Sequence, residues 1–309
     1  MQVLITGGTG FIGAELARQL IGAGHGVLLP CRNPARAQAR LFGGGEKPAT
    51  VDLASWDGRD AQALAGLMRG AGAVVNLLGE NIVARRWSAD QMRRIRDSRV
   101  VAGRAVVDAF RAADERPGVL VQASATGFYG DRGDEILDEA AAPGKGFLAE
   151  TCLAWEASTK EVEDLGVRRA VVRTGVVLGR GGALEKMIAP FRFFLGGPLG
   201  SGKQWMSWIH LADEVAAIKW LVERPEAAGV YNLTAPNPLT NKEFCRALGK
   251  ALRRPCLMPA PGFALKLALG RMAEELLLFG QRVLPARLTS QGFGFAFARA
   301  DQALQDILG

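Results

Sequence analysis

The chain has little of what builds metal centres and covalent frames. Its 309 residues include four cysteines and two histidines, His25 and His210. Cys31, Cys152, Cys245 and Cys256 lie far apart with no Cys-x-x-Cys pair, which excludes the usual zinc and disulfide spacings and reads as reduced thiols. Two histidines do not suffice for a histidine-based metal centre, so no metal is expected. Tyrosine is scarce, with only Tyr129 and Tyr231. No run of about 18 uncharged apolar residues occurs, so neither a transmembrane helix nor a membrane partner is expected. Residue 2 already enters a strand-like run, which leaves no space for a signal peptide, and a cytoplasmic protein is expected. Internal repeats and low-complexity segments are absent.

Charge of one sign is not missing but is diffuse. The net charge is +7, and the densest basic clusters, Arg85-Arg86 and Arg93 to Arg99, carry no interleaved aromatics. Nucleic acid is therefore not expected as a partner. An anionic dinucleotide and an anionic small-molecule substrate account for the excess.

What is present begins at Val3-Leu4-Ile5, an apolar run suited to a strand buried on both faces, which breaks into Thr6-Gly7-Gly8-Thr9-Gly10-Phe11-Ile12-Gly13 and restarts as an amphipathic helix. In such a Gly-x-x-Gly-x-x-Gly turn, Gly7 permits the tight turn, Gly10 lets the backbone approach a pyrophosphate, and Gly13 lets helix and strand pack. The helix start then offers free N–H groups and a positive dipole end to an anion. Gly7, Thr9, Gly10, Phe11, Ile12 and Gly13 are thus candidate cofactor contacts. The second strand ends in Cys31-Arg32, with no carboxylate between His25 and Leu41. An arginine there suits a 2′-phosphate, which favours NADP(H) over NAD, the alternative being a solvated loop cation.

A third strand over residues 49–53 makes Asp52 and Leu53 candidate adenine contacts. The fourth, residues 73–78, opens into Gly79-Glu80, with Leu78 and Gly79 as cofactor contacts. Ser88 and Gln91 form a capping-box signature for a long helix. The fifth strand, residues 119–124, delivers Ser124 to the same sheet edge as Gly7 and Gly79. A helix over 146–165 and a sixth strand over 169–173 follow. Alternating strands and helices with short connections predict an α/β fold, a Rossmann-type doubly wound parallel sheet with a smaller C-terminal α+β substrate domain. The expected boundaries are 1–178 and 206–233 for the dinucleotide-binding domain, and 179–205 and 234–309 for the smaller one.

Residues 196–203 have the wrong glycine–lysine spacing for a phosphate loop and read as a hairpin or lid near the substrate. Trp205 and Trp208 alternate on an extended segment, so one should face inward and wall the substrate pocket, with core packing as the plain alternative. His210 reads as a hydrogen-bonding residue at a helix start. Leu276 to Leu278 and Phe293, Phe295 and Phe297 read as core of the smaller domain. Cys152 reads as a packed small hydrophobe.

Taken with Leu78-Gly79-Glu80-Asn81-Ile82, Arg85-Arg86-Trp87, Ser98-Arg99, Ser124-Ala125-Thr126-Gly127-Phe128-Tyr129-Gly130, residues 200–210, Arg282-Val283-Leu284-Pro285 and Gly292-Phe293, the chain resembles the extended-type short-chain dehydrogenase/reductases. The resemblance is to their atypical, epimerase-like bacterial subgroup with its own C-terminal domain of unknown function. It implies redox or redox-assisted isomerisation on a small polar metabolite. Parent enzymes place a tyrosine four residues before a lysine that lowers its pKa, near residues 147–152 here. This chain has Phe147 to Cys152 there, and the plus-four positions of its two tyrosines are Gly133 and Ala235.

Met206-Ser207 also replaces the Arg-Asp with which sugar-nucleotide enzymes hold a diphosphate, leaving Arg173, among the candidate cofactor contacts, and Lys203, beside the substrate, as sources of positive charge. Ser124 matches the superfamily's serine. Glu80, if desolvated, and Tyr129 are the remaining candidates for proton transfer. Against this, Ser124 would bond only backbone and Glu80 only Arg85, Arg86 or Arg99. A non-catalytic NADP(H) sensor for a protein partner is the rival reading, and oligomeric state is left open.

Overall fold

Alternate residues of the first strand face opposite sides of a sheet, and both sides are covered. Val3 and Ile5 join one apolar cluster with Leu16 and Leu20, whereas Leu4 joins a second with Leu64, Val106 and Phe110. Burying each such side chain contributes roughly 1.5–3 kcal/mol. The computed structural model describes residues 1–43 and 45–309.

Seven parallel strands form the sheet: β1 Gln2–Thr6, β2 Gly26–Cys31, β3 Val51–Ser55, β4 Ala71–Asn76, β5 Val119–Ala125, β6 Arg168–Thr174 and β7 Gly229–Leu233. Their order, β7-β6-β5-β4-β1-β2-β3, reverses between β1 and β4, where open α/β sheets bind ligands at the carboxyl edge. Helices α1 Phe11–Gly22 and α7 Leu211–Glu223 cover one face; α3 Ala61–Met68 and α4 Ala89–Ala112 cover the other. Between them in the chain come α2 Pro34–Phe42, α5 Phe147–Ala157 and α6 Gly182–Arg192. The expected doubly wound sheet is present, and the helix expected over 146–165 is α5 followed by a 3₁₀ stretch, Lys160–Leu165.

A smaller unit packs α6, α8 Asn241–Leu252 and the C-terminal helix Ala300–Leu308 around Leu184, Phe191, Phe244, Leu248 and Leu304. Thr240 and Glu243 form a reciprocal capping box at the start of α8. Two segments of the C-terminal region tie back to the larger unit. Phe293 packs edge-on against both Trp220 and Phe295, and both phenylalanines lie on the large-domain core, while Phe297 stays with the smaller unit. Residues 292–297 form no strand; they are pinned by Asp213, which accepts from the Ala296 and Phe297 N–H groups at 2.9 Å each.

Glu275 makes the second tie. Its carboxylate accepts from the Phe147 and Leu148 N–H groups, 3.0 and 2.8 Å, and so caps α5 from the C-terminal region. No described helix is long and apolar enough to cross a membrane.

Candidate functional site

The glycine turn is built as its spacing requires. Gly7 has φ +75°, and a Cβ there would sit 3.0 Å from the Leu77 carbonyl. A Cβ on Gly13 would lie 2.5 Å from Gly7 O and 2.6 Å from Gly8 Cα, so only glycine lets α1 approach the turn this closely. Gly10 is the N-cap of α1, with no side-chain cap and no acidic residue in the first turn, so the Phe11, Ile12 and Gly13 N–H groups are left for an anion. Phe11 offers only its backbone, because its ring packs on Gly179 and Gly182. Arg32 is exposed at the end of β2 with no hydrogen-bond or ion-pair partner among the described residues, and Asn33 beside it caps α2. This donor set fits a phosphorylated dinucleotide.

Beneath the edge, a buried relay fixes the three central strands in register. Thr6 Oγ1 donates to Asn76 Oδ1 at 2.7 Å, and Asn76 Nδ2 donates to Gln122 Oε1 at 2.8 Å. The openings after β1, β4 and β5 are thereby held level. Leu78 and Gly79 follow β4 directly. Glu80 donates its N–H to Ser98 Oγ, and its Oε1 accepts from Gln91 Nε2 at 2.8 Å, so Gln91 turns to Glu80 rather than completing the box with Ser88. No arginine lies within ion-pair distance of Glu80 among the described residues. Arg99 instead packs on Gly79, whose added Cβ would sit 3.0 Å from Arg99 Cζ, and lies 4.9 Å over the Trp155 ring.

Ser124, 4% exposed, donates Oγ–H to Glu156 Oε1 at 2.7 Å. Arg173 grips Glu156 with Nε and Nη2, 2.9 and 3.0 Å, and donates Nη1–H to Tyr129 Oη at 3.0 Å. Tyr129 in turn donates to Asn232 Oδ1 at 2.7 Å. Burial opposes the Arg173 charge, and its bonds to Glu156 more than offset that. Cys152 lies against Ser124, one helical turn before Glu156, and burial pushes its thiol up to about 11. Cys152 and Glu156 are four residues apart, the spacing of the missing tyrosine and lysine. Glu156 had one signal in the sequence, that fixed offset on the helix facing Ser124.

Four expected placements are corrected. Tyr129 is fully buried between Arg173 and Asn232, and burial raises its pKa, so it is no surface acid. Arg173 is buried, with all three of its nitrogens bonded to Glu156 or Tyr129 and its guanidinium over the Phe128 ring, so it is turned into the protein rather than toward a cofactor. Asp52 and Leu53 stand level with Leu28 and Leu29, short of the strand end at Ser55, because a turn at Pro48 starts β3 at Val51. Trp208 is fully buried in the smaller unit's core and donates to Asn237 O, so it walls no pocket. Trp205 is half-buried, donates to Asp134 Oδ1 and stacks under Arg282. Lys203 is exposed in the 196–203 segment, which pairs with Ala260 and packs on α8 in the smaller unit. His210 caps α7, accepting from Ala212 N–H, with its ring 3.9 Å from that of Phe297. A cleft of about 470 Å³ lies against Gly10, Phe11, Arg18, Arg180 and His210 on the outer side of α1, away from Ser124. No group of metal-binding side chains occurs among the described residues.

Comparison with known proteins adds two family models. One, described as the NAD dependent epimerase/dehydratase family, matches residues 3–234. The other, a domain of unknown function, DUF1731, matches residues 260–307. The chain is 40% identical over 311 residues to the Epimerase family protein SDR39U1 homolog, chloroplastic, of Arabidopsis thaliana, covering 100% of this chain and 87% of that one. The crystal structure of human epimerase family protein SDR39U1 (isoform 2) with NADPH superposes with TM-score 0.84 at 32% identity, over 100% and 99% of the two chains. Thermus thermophilus UDP-glucose 4-epimerase with NAD, TM-score 0.76 at 19% identity over 100% and 98%, shares the fold alone.

Proposed function

Because the chain belongs to the NAD-dependent epimerase/dehydratase family, we propose that it binds NADP(H) and performs a redox or redox-assisted isomerisation on a small polar metabolite. The observation that carries the cofactor half is the uncapped start of α1 behind Gly7, Gly10 and Gly13. In this reading the backbone of residues 9–13 holds the diphosphate, Arg32 the 2′-phosphate, and Leu78 and Gly79 flank the cofactor across the sheet edge. NADPH in the human relative's structure supports the phosphorylated form. When bound, the cofactor supplies or accepts hydride at its nicotinamide.

The chain's own groups manage polarity and protons. Ser124 gives its proton to Glu156, so its lone pairs are oriented to accept from a substrate hydroxyl, and rotation of the hydroxyl lets it donate to a carbonyl. In this reading Glu80, whose Oε2 has no protein partner among the described residues, exchanges a proton at this edge. The four free thiols support a cytoplasmic location.

One observation favours a second reading, an NADP(H)-binding sensor for a protein partner. The only tyrosine near the site is sealed inside, and Cys152 keeps its proton to about pH 11, which leaves no strong general acid beside Ser124. The test is NADPH oxidation or epimerisation against a panel of carbonyl compounds and sugar nucleotides, with Ser124→Ala and Glu80→Gln alongside. Turnover that falls at least about 100-fold in Ser124→Ala supports the enzyme. Tight NADPH binding with no turnover on any compound supports the sensor.

A further inference from the structure

Arg99 stands at the carboxyl edge of β4 without a carboxylate in ion-pair distance among the described residues. Its protein hydrogen bond runs from Nη1 to Ile95 O at 2.8 Å. The Nε–Nη2 edge, two parallel N–H donors, has no protein acceptor among the described residues. Other arginines packed around this region are paired: Arg173 with Glu156 and Arg271 with Glu275. The nearby carboxylate, Glu80, is turned to Gln91.

We propose that Arg99 is the carboxylate-binding residue of this site, and that the substrate is a small organic acid whose acid group sits on the Nε–Nη2 edge while its reacting oxygen sits at Ser124. The proposal rests on the NADP(H) reading above. A guanidinium edge of this kind matches a carboxylate bidentately, with two charge-assisted bonds. Its position is set before any ligand arrives, by Gly79 beneath it, Trp155 beside it and the bond to Ile95. The Trp155 indole N–H is itself buried without an acceptor. Burial also lowers the Arg99 pKa, by more than the charges of the nearby Cys152 and Glu80 raise it.

Placement selects substrate over cofactor. The diphosphate cradle lies over β1 and α1, on one side of β4; Arg99 lies on the other, toward β5, where it is near enough to Cys152 for its charge to act on the thiol. Cys152 touches Ser124, so acid group and reacting oxygen belong to one small molecule.

The test uses NADPH-loaded protein titrated with oxalate, inorganic phosphate and the neutral diamide oxamide, read by the fluorescence of bound NADPH. Wild type should respond to oxalate, weakly or not at all to phosphate, and not to oxamide. Arg99→Gln should weaken oxalate binding at least about tenfold, and Arg99→Lys, which keeps charge but not the fork, by less. NADPH affinity should stay within about threefold across all three proteins. Equal oxalate binding by wild type and Arg99→Gln, preference for phosphate, or a tenfold loss of NADPH affinity in Arg99→Gln would each overturn the proposal. NADPH binding with no response to oxalate overturns it alone; no NADPH binding by wild type overturns the cofactor reading as well.

Discussion

Glu156 accepts the Ser124 hydroxyl proton at 2.7 Å while both its oxygens are held by Arg173 at 2.9 and 3.0 Å. The serine at the end of β5 therefore has its orientation set by a mostly buried ion pair rather than by solvent or backbone, and the pair is anchored below by Tyr129 and Asn232.

Breaking that pair should be costly. Arg173→Gln leaves the Glu156 carboxylate without its counter-charge, and is expected to lower unfolding stability by about 3–5 kcal/mol in urea denaturation. The double variant Arg173→Gln/Glu156→Gln should lose clearly less than the sum of the two single changes. Additive losses would show that the two side chains are not coupled.

Gly13 and Gly22 sit on the same helix and should behave oppositely. Gly13→Ala places Cβ on backbone atoms at 2.5 and 2.6 Å, and should abolish NADPH binding and lower the melting temperature. Gly22→Ala meets nothing within 4 Å and should be neutral or stabilising by about 0.5–1 kcal/mol. Equal tolerance of both would refute the close packing of α1 on the turn.

Glu214 gives the fold a pH dependence. It is 1% exposed, its Oε1 accepts from Thr174 Oγ1 at 2.8 Å, its Oε2 has no partner among the described residues, and burial raises its pKa to about 8 from the ordinary 4.5. Between those values the folded protein keeps the proton and the unfolded chain loses it. Its contribution is fully present below pH 4.5 and fades as pH rises to about 8, at up to roughly 1.4 kcal/mol per pH unit. Urea unfolding at pH 5, 6.5 and 8 should show wild type losing stability relative to Glu214→Gln; parallel curves would contradict this.

The parts that were legible in the chain are local. A strand, a glycine turn and a helix start within 13 residues declare one another, and so do the capped starts of α4 and α8. The parts that were misread depend on distant segments. Tyr129 is sealed by Asn232, 103 residues away, and by Arg173, so its burial cannot be inferred from its own loop. Trp208 and Trp205 look alike along the strand, and which one faces the core is decided by α6, α8 and the C-terminal helix. Phe293 and Phe295 join the large domain because Asp213 fixes the segment just after them.

The measurement that bears most directly on the account is calorimetric titration of wild type and Arg32→Ala with NADPH and with NADH. The account predicts tight NADPH binding to wild type, with Arg32→Ala weakening NADPH by at least about tenfold and NADH by much less. Equal weakening would remove Arg32 from the 2′-phosphate, and a wild-type protein that takes up neither nucleotide would contradict the account as a whole.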